Sequence, residues 1–288
     1  RFESIADAYR QRLGDSHPSV LTIEQNQSIA LMRLGEFDRA AALVDHVLEV
    51  RRRLWGDADR ATLTAVNNLG AVMLAAGQLQ GAEERFATAL AGRRELLGDR
   101  DPETIGAANN LAGTRMRLGN PLGAIEPFRL LCDATASDPP TAEYLQHRRN
   151  FALALIESVK RELESGSVVA DSPARAAEGV AILESGIHSW PPGPAAGLAN
   201  EGRRFAIAAS MQSGDVDAVG EGLDRLAERA DDHASLRFVL TRLVAKHFPT
   251  EAPEQVRAAL LDRLRAATDR LYRRGFGMPF DEEAAFEA

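Results

Sequence analysis

Histidine, cysteine and clustered carboxylates are the side chains with which this chain could do metal or nucleophilic chemistry, and their spacing argues against both. The six histidines stand at positions 17, 46, 147, 188, 233 and 247. None belongs to a His-Glu-x-x-His pair, the spacing that sets two metal ligands on one helix face. Asp231-Asp232-His233 has ligand types, but Asp directly before an apolar helical run is an N-cap, accepting from the first backbone N–H groups. Asp45 and His46 are neighbours on a helix, so they point about 100° apart and do not act as a pair. Cys132 is the only cysteine. It falls at a helical core position, equivalent to Leu48 and Leu90, which predicts a buried, inert thiol. Neither Gly220-Glu221-Gly222 nor Gly275-Phe276-Gly277 follows a strand or has the spacing of a phosphate loop. The expectation is a chain with no catalytic residue, no metal and no cofactor.

Charge narrows the partners. The 288 residues carry 34 basic and 42 acidic side chains, a net charge of −8, and the basic residues form no cluster able to track a phosphate backbone. Nucleic acid is therefore not expected. No apolar run approaches the roughly 20 residues of a membrane span. A single thiol fits a reducing compartment, and a cytoplasmic location is expected. The basic residues are arginine apart from Lys160 and Lys246, and with the abundant alanine this bias points to a GC-rich, bacterial-type genome.

The remaining chemistry is that of recognition, carried by amides and arginines that recur at a fixed interval. Asn26, Asn68 and Asn110 are 42 residues apart, as are Gly14, Gly56 and Gly98, Gly35, Gly77 and Gly119, and Ala40, Ala82 and Ala124. Phe2, Val44, Phe86 and Phe128 keep the same interval. Such periodicity marks a repeat array. Within a unit, Leu69, Val72 and Met73, then Leu79, Ala82, Phe86, Ala89 and Leu90, recur at helical steps. Gly35 and Gly77 sit where a first helix must end before a second begins. The small Ala40, Ala82 and Ala124 let the two helices approach closely. Each unit is thus a helical hairpin, and the fold class is all-α.

Leu63-Thr64-Ala65-Val66-Asn67-Asn68-Leu69-Gly70, then Gly77, Ala82 and Phe86, then Arg93-Arg94-Glu95-Leu96-Leu97-Gly98-Asp99 and Asp101-Pro102-Glu103-Thr104, resemble the 42-residue tetratricopeptide repeat of the kinesin-light-chain type. The resemblance covers about residues 1–132 and implies a right-handed superhelical solenoid of antiparallel helix pairs. It also implies a protein-binding array without activity of its own. The register places Phe2–Gly14 on Val44–Gly56, so the chain is expected to start inside a second helix and to be one module of a larger protein. Residues 133–274 are expected to form degenerate repeats or capping helices, over about 141–164, 173–187, 195–212, 216–230, 236–247 and 252–274. Residues 275–288 are an acidic and aromatic tail.

In such a stack the first helices line the concave surface. In the second unit Thr64, Asn67, Ala71, Leu74 and Ala75 share a face opposite Val66, Leu69 and Met73, which should be core. The equivalents are Thr22, Gln25, Ile29, Met32 and Arg33 before it, and Gly106, Asn109, Gly113, Met116 and Arg117 after it. Amides donate to and accept from an extended main chain, Met and Leu offer adaptable apolar contact, and Arg33 and Arg117 can fork a carboxylate. In the similar light-chain family first-helix asparagines hold an extended acidic peptide, which the resemblance places on Asn67 and Asn109, with Gln25 a conservative variant. The candidate binding residues are therefore Gln25, Arg33, Asn67, Leu74, Asn109, Met116 and Arg117. Asn26, Asn68 and Asn110 read as structural bonds between helices.

Three departures stand out: Glu24 and Gln27 occupy the places of Val66 and Leu69, and Arg115 stands at an apolar position. Arg51-Arg52-Arg53 and Arg93-Arg94, at second-helix ends, read as solvated cations suited to the helix dipole. The expected partner is a protein or peptide segment with acidic and apolar residues, bound in the groove, with the 275–288 tail as a docking candidate. The alternative is a domain regulating in cis a kinase, STAND ATPase or caspase-like protease outside these residues.

Overall fold

The computed structural model describes residues 2–185, 194–228, 244 and 246–273. The expected helix at 236–247 falls largely outside the described residues, as do Asp231-Asp232-His233, His188 and the 275–288 tail. The described residues are helical, with no strand among them. Two compact units form, Arg1–Tyr144 and Leu145–Ala288.

In the first unit α1 spans Phe2–Leu13, α2 Pro18–Arg33, α3 Phe37–Trp55, α4 Arg60–Ala75, α5 Leu79–Leu97, α6 Pro102–Arg117 and α7 Pro121–Thr135. First helices start at 18, 60 and 102 and second helices at 37, 79 and 121, so the 42-residue interval of the sequence is the interval of the helices. Starts are set by side chains: Asp59 and Asp101 accept from the first backbone N–H groups of α4 and α6, and His17 does so for α2. Stops are set by glycine. Gly35, Gly77 and Gly119 have φ of 79°, 78° and 71°, and Gly14, Gly56 and Gly98 have φ of 82°, 85° and 83°. A side chain resists that left-handed region, so only glycine turns the chain there without strain.

Each helix packs on the next, and α2 also touches α4 and α4 touches α6. The first helices thereby form a layer of their own. The core lies between layers: Ala40, Val44 and Val47 of α3, Leu63, Val66 and Leu69 of α4, Ala82, Phe86 and Ala89 of α5, and Ala108 and Leu111 of α6 are buried. Closeness between the layers depends on Gly70, where a Cβ would stand 2.9 Å from Phe86 Cε1.

The three departures have structural reasons. Glu24 is fully buried and accepts from Arg10 Nη2 of α1 at 2.6 Å and pairs with His46 Nδ1 of α3 at 3.0 Å. Gln27 is buried beside it on α2. Arg115 donates to Glu83 of α5 and to the Gly123 carbonyl of α7, each at 2.8 Å, so a cation clamps the third hairpin where Met73 packs on Gly81 in the second.

Two sequence expectations are corrected. Arg51 and Arg93 are not solvated but buried, and each donates to a carbonyl of the following first helix, Arg51 to Ala61 at 2.7 Å and Arg93 to Glu103 at 2.9 Å. Their long stems lie in the core while their heads find acceptors. Arg52 and Arg94 remain at the surface, bonding Asp57 and Asp99 at 2.6 and 2.8 Å. Cys132 is half-buried rather than buried. In α7 the buried residues are Phe128, Leu130 and Leu131, whereas Phe86, Ala89 and Leu90 are buried in α5. Ala124, Phe128 and Leu131 keep the buried positions of Ala82, Phe86 and Ala89, so toward the end of the helix the difference lies at Leu130 and Cys132.

In the second unit α8 spans Ala142–Ser165, α9 Ser172–Ser185, α10 Pro194–Ser213, α11 Val216–Glu228 and α12 Glu254–Arg273, with α8 starting in the last residues of the first unit. One core gathers Val159 and Leu163 of α8, Ile207 and Met211 of α10, Val219 and Leu223 of α11, and Leu260 and Leu264 of α12. The caps echo the first unit. Gly166 and Gly214 have φ of 71° and 75°, and the Asp215 N–H reaches back to the Ser210 carbonyl as the Gln78 N–H does to that of Met73. A polar clamp joins α8 to α9: buried Arg175 donates to Glu162 at 2.6 and 2.8 Å and to Ser158 at 2.9 Å.

Candidate functional site

The layer of first helices, α2, α4 and α6, presents one exposed face. Thr22, Gln25, Ile29, Met32 and Arg33 on α2, Thr64, Asn67, Ala71, Leu74 and Ala75 on α4, and Gly106, Asn109, Gly113, Met116 and Arg117 on α6 are all half-buried or exposed. Opposite them, Val66 and Leu69 are buried and Met73 is half-buried against α5. The side chains of one hairpin stand beside their equivalents in the next because helix starts keep a constant interval.

The seven candidate residues differ in what already holds them. Asn67 accepts a hydrogen bond from Asn110 Nδ2 at 3.3 Å, joining α4 to α6. Asn110 therefore bridges helices, and its partner is one of the amides singled out for ligand contact. Asn67 keeps its amide N–H donors for another group. Gln25, Arg33, Asn109 and Arg117 make no side-chain hydrogen bond or ion pair with described residues. Leu74 and Met116, half-buried at equivalent positions on α4 and α6, give the face an apolar line between the amides and the arginines.

The glycines of α6 are informative. A Cβ added at Gly106 or Gly113 would meet nothing within 4 Å. Helix packing thus places no demand for glycine there, although each costs the helix roughly 0.5–1 kcal/mol relative to alanine. With Asn109 and Met116 they form one stripe along α6, in which the helix backbone is open to an incoming chain.

At the N-terminal end of this face lies a charged cluster. Arg60 pairs with Glu103 at 2.7 Å, Arg93 with Glu103 at 3.3 Å, and Thr64 with Glu103 at 3.4 Å. Burial pulls the Arg93 guanidinium below its ordinary value against the pull of Glu103, and does the same to Arg51 against Asp59. The hydrogen bond and charge of Glu103 hold Arg60 above it. These groups satisfy one another and join hairpins. Among the described residues, no group of three or more His, Cys, Asp or Glu is placed to hold a metal ion, and no helix is long and apolar enough to cross a membrane.

Sequence reasoning missed the Arg10–Glu24–His46 cluster and the forward reach of Arg51 and Arg93. A signal for the second existed: Arg51 and Arg93 are themselves 42 residues apart, and a solvated arginine has no need to keep register.

Tetratricopeptide-repeat family models match residues 26–60 and 60–135. Residues 26–135 are tetratricopeptide repeats. Tetratricopeptide repeats are a scaffold for protein–protein interaction. Two crystal structures of a Podosopora anserina kinesin light chain protein with nearly identical TPR-like repeats are similar, each at TM-score 0.46 and 95% coverage of that chain. They are 19% and 18% identical and cover 74% of this chain. BtubC (BKLC) from P. vanneervenii is 16% identical at TM-score 0.43, over 67% of this chain and 82% of that one. No curated protein matches the chain.

Proposed function

We propose that the α2, α4 and α6 face of the tetratricopeptide array binds an extended peptide or protein segment carrying acidic and apolar residues. The observation that carries this reading is the α6 stripe: Gly106 and Gly113 weaken the helix with no packing reason, and Asn109 and Arg117 beside them are exposed, with no side-chain partner among the described residues. Asn109 and Gln25 offer both donors and acceptors to a main chain, and Arg33 and Arg117 offer forks to carboxylates. Leu74 and Met116 supply the apolar contact.

The test is capture of partners from native lysate with crosslinking, followed by fluorescence anisotropy on the crosslinked peptide. Wild type is set beside Asn109→Ala with Arg117→Ala, both at exposed positions. Crosslinks on α2, α4 and α6, and affinity at least tenfold weaker in the variant, support the reading. Crosslinks confined to α3, α5 and α7 or to the second unit, with affinity unchanged in the variant, refute it. Should capture yield only segments of the same polypeptide, the array regulates in cis.

A further inference from the structure

In the second unit, α9, α10 and α11 enclose a cleft of about 350 Å³, a size suited to a small ligand. Val180 and Ala181 of α9 and Ala206 of α10 give it apolar walls, and Glu184, Arg203 and Arg225 its charges. The walls are packed helices rather than loops. A Cβ on Gly222 of α11 would lie 2.7 Å from Ile207 Cγ1 of α10, so the absent side chain is what lets α11 sit directly on α10.

The charges are unequal in role. Arg203, its side chain only 12% exposed, donates to Glu184 and to Asn200. That pair spans α9 and α10, is neutral as a whole, and fixes the polar side of the cleft. Arg225 stands at the rim of α11, 67% exposed, and its bond to Glu221 at 3.1 Å is an i,i+4 surface pair whose acid is 71% exposed. Such pairs are weak and screened, so Arg225 exchanges its partner readily. Of the lining charges, Glu184 is taken by Arg203, so the Arg225 guanidinium, tied to the exposed Glu221, is the charge that a ligand can recruit, with apolar carbons behind it. A carboxylate meets a planar fork of N–H donors.

We propose that this cleft binds a compact carboxylate with a branched aliphatic body, the carboxylate on Arg225 and the body against Val180, Ala181 and Ala206. A free small acid and the C-terminus of a peptide ending in leucine present the same chemistry. The experiment titrates the full chain, followed by NMR, with 4-methylpentanoate, 4-methylpentanamide, an acetylated peptide ending in leucine, and that peptide as its C-terminal amide. The variants are Arg225→Gln and Ala181→Phe, at exposed positions, with folding checked by circular dichroism.

Saturable binding of at least one acid is expected, with its amide about tenfold weaker or worse. Arg225→Gln should weaken the acid about tenfold and leave the amide unchanged, as loss of one charge-assisted pair requires. Ala181→Phe should abolish binding by filling the cleft. Tighter binding of the small acid or of the peptide identifies the source. The proposal is overturned if neither acid saturates, if acid and amide bind alike, or if Ala181→Phe binds as wild type does. A loss of binding in Asn109→Ala with Arg117→Ala would move the site to the first unit and overturn it equally.

Discussion

Glu24 offers the sharpest test of how a repeat absorbs a charge at a core position. Its equivalents in the next hairpins are Val66 and Ala108, and all three are buried. The carboxylate accepts from Arg10 at 2.6 and 3.2 Å and pairs with His46 at 3.0 Å, with side-chain exposures of 1% for Glu24, 32% for Arg10 and 43% for His46. Removing one partner of a fully buried pair costs roughly 3–5 kcal/mol, because the other charge is stranded. Here Arg10 is about one-third exposed and His46 remains, so Arg10→Met should cost about 1–3 kcal/mol. Glu24→Val restores the apolar pattern and leaves Arg10 and His46 room to turn to water. It should change stability by no more than about 1 kcal/mol, in the stabilising direction if either.

The assay is urea unfolding followed by helical circular dichroism, with hydrogen exchange on α2 to localise the change. The double variant, Arg10→Met with Glu24→Val, should recover most of what Arg10→Met loses, since no carboxylate is left unpaired. If Glu24→Val proves more damaging than Arg10→Met, the ion cluster is itself a source of stability. The view of Glu24 as a tolerated charge held by its neighbours then fails.

Other outcomes follow from the same structure. Gly70→Ala brings a Cβ within 2.9 Å of the Phe86 ring and should cost about 1–3 kcal/mol in urea unfolding. Gly113→Ala, in open space, should gain up to about 1 kcal/mol while weakening partner binding. Arg93→Met removes the side-chain donor to the Glu103 carbonyl and should cost about 1–3 kcal/mol, read as faster hydrogen exchange in the first turn of α6. Burial, with Lys246 nearby, holds His247 below its ordinary value of 6.5. Its folded form therefore binds a proton less readily than the unfolded one, and the associated stability is complete above 6.5 and declines as pH falls through 6.5 toward the folded value. Calorimetry on wild type and His247→Gln should show that decline in wild type and a flatter profile in the variant.

Helix starts and stops were legible because they depend on neighbours in sequence: an Asp or His at the cap, a Gly at the turn, an Ala at the close approach. The exposed face of the first helices was legible for a related reason, since a constant interval fixes which residues of successive first helices stand side by side. What escaped was polarity inside the core. Arg51 and Arg93 read as surface charges and Glu24 as a departure at a core position, because a carboxylate or guanidinium in one dimension carries no sign of its partner, and those partners lie on other helices. Cys132 escaped because the last turn of α7 buries Leu130 as well as Leu131, a difference from α5 that the repeat register does not show. Asn67 shows a subtler gap: its residue type was enough to propose ligand contact, but only the structure reveals that one lone pair is already taken by Asn110.

The Arg51 and Arg93 links point the same way along the chain. Each guanidinium lies near the end of its second helix and donates to a backbone carbonyl ten residues further on, while Arg93 also reaches back to the Thr64 hydroxyl at 3.3 Å. For a chain leaving the ribosome N-terminus first, a completed hairpin therefore obtains its clamp as soon as the opening turn of the next one emerges, long before the array is finished. Synthesis and consolidation can proceed in step, one hairpin behind the exit, which shortens the time that an apolar helix face waits without cover. After α7 the equivalent position is Thr135, a side chain too short for the same reach, whose hydroxyl donates to the Leu131 carbonyl of its own helix.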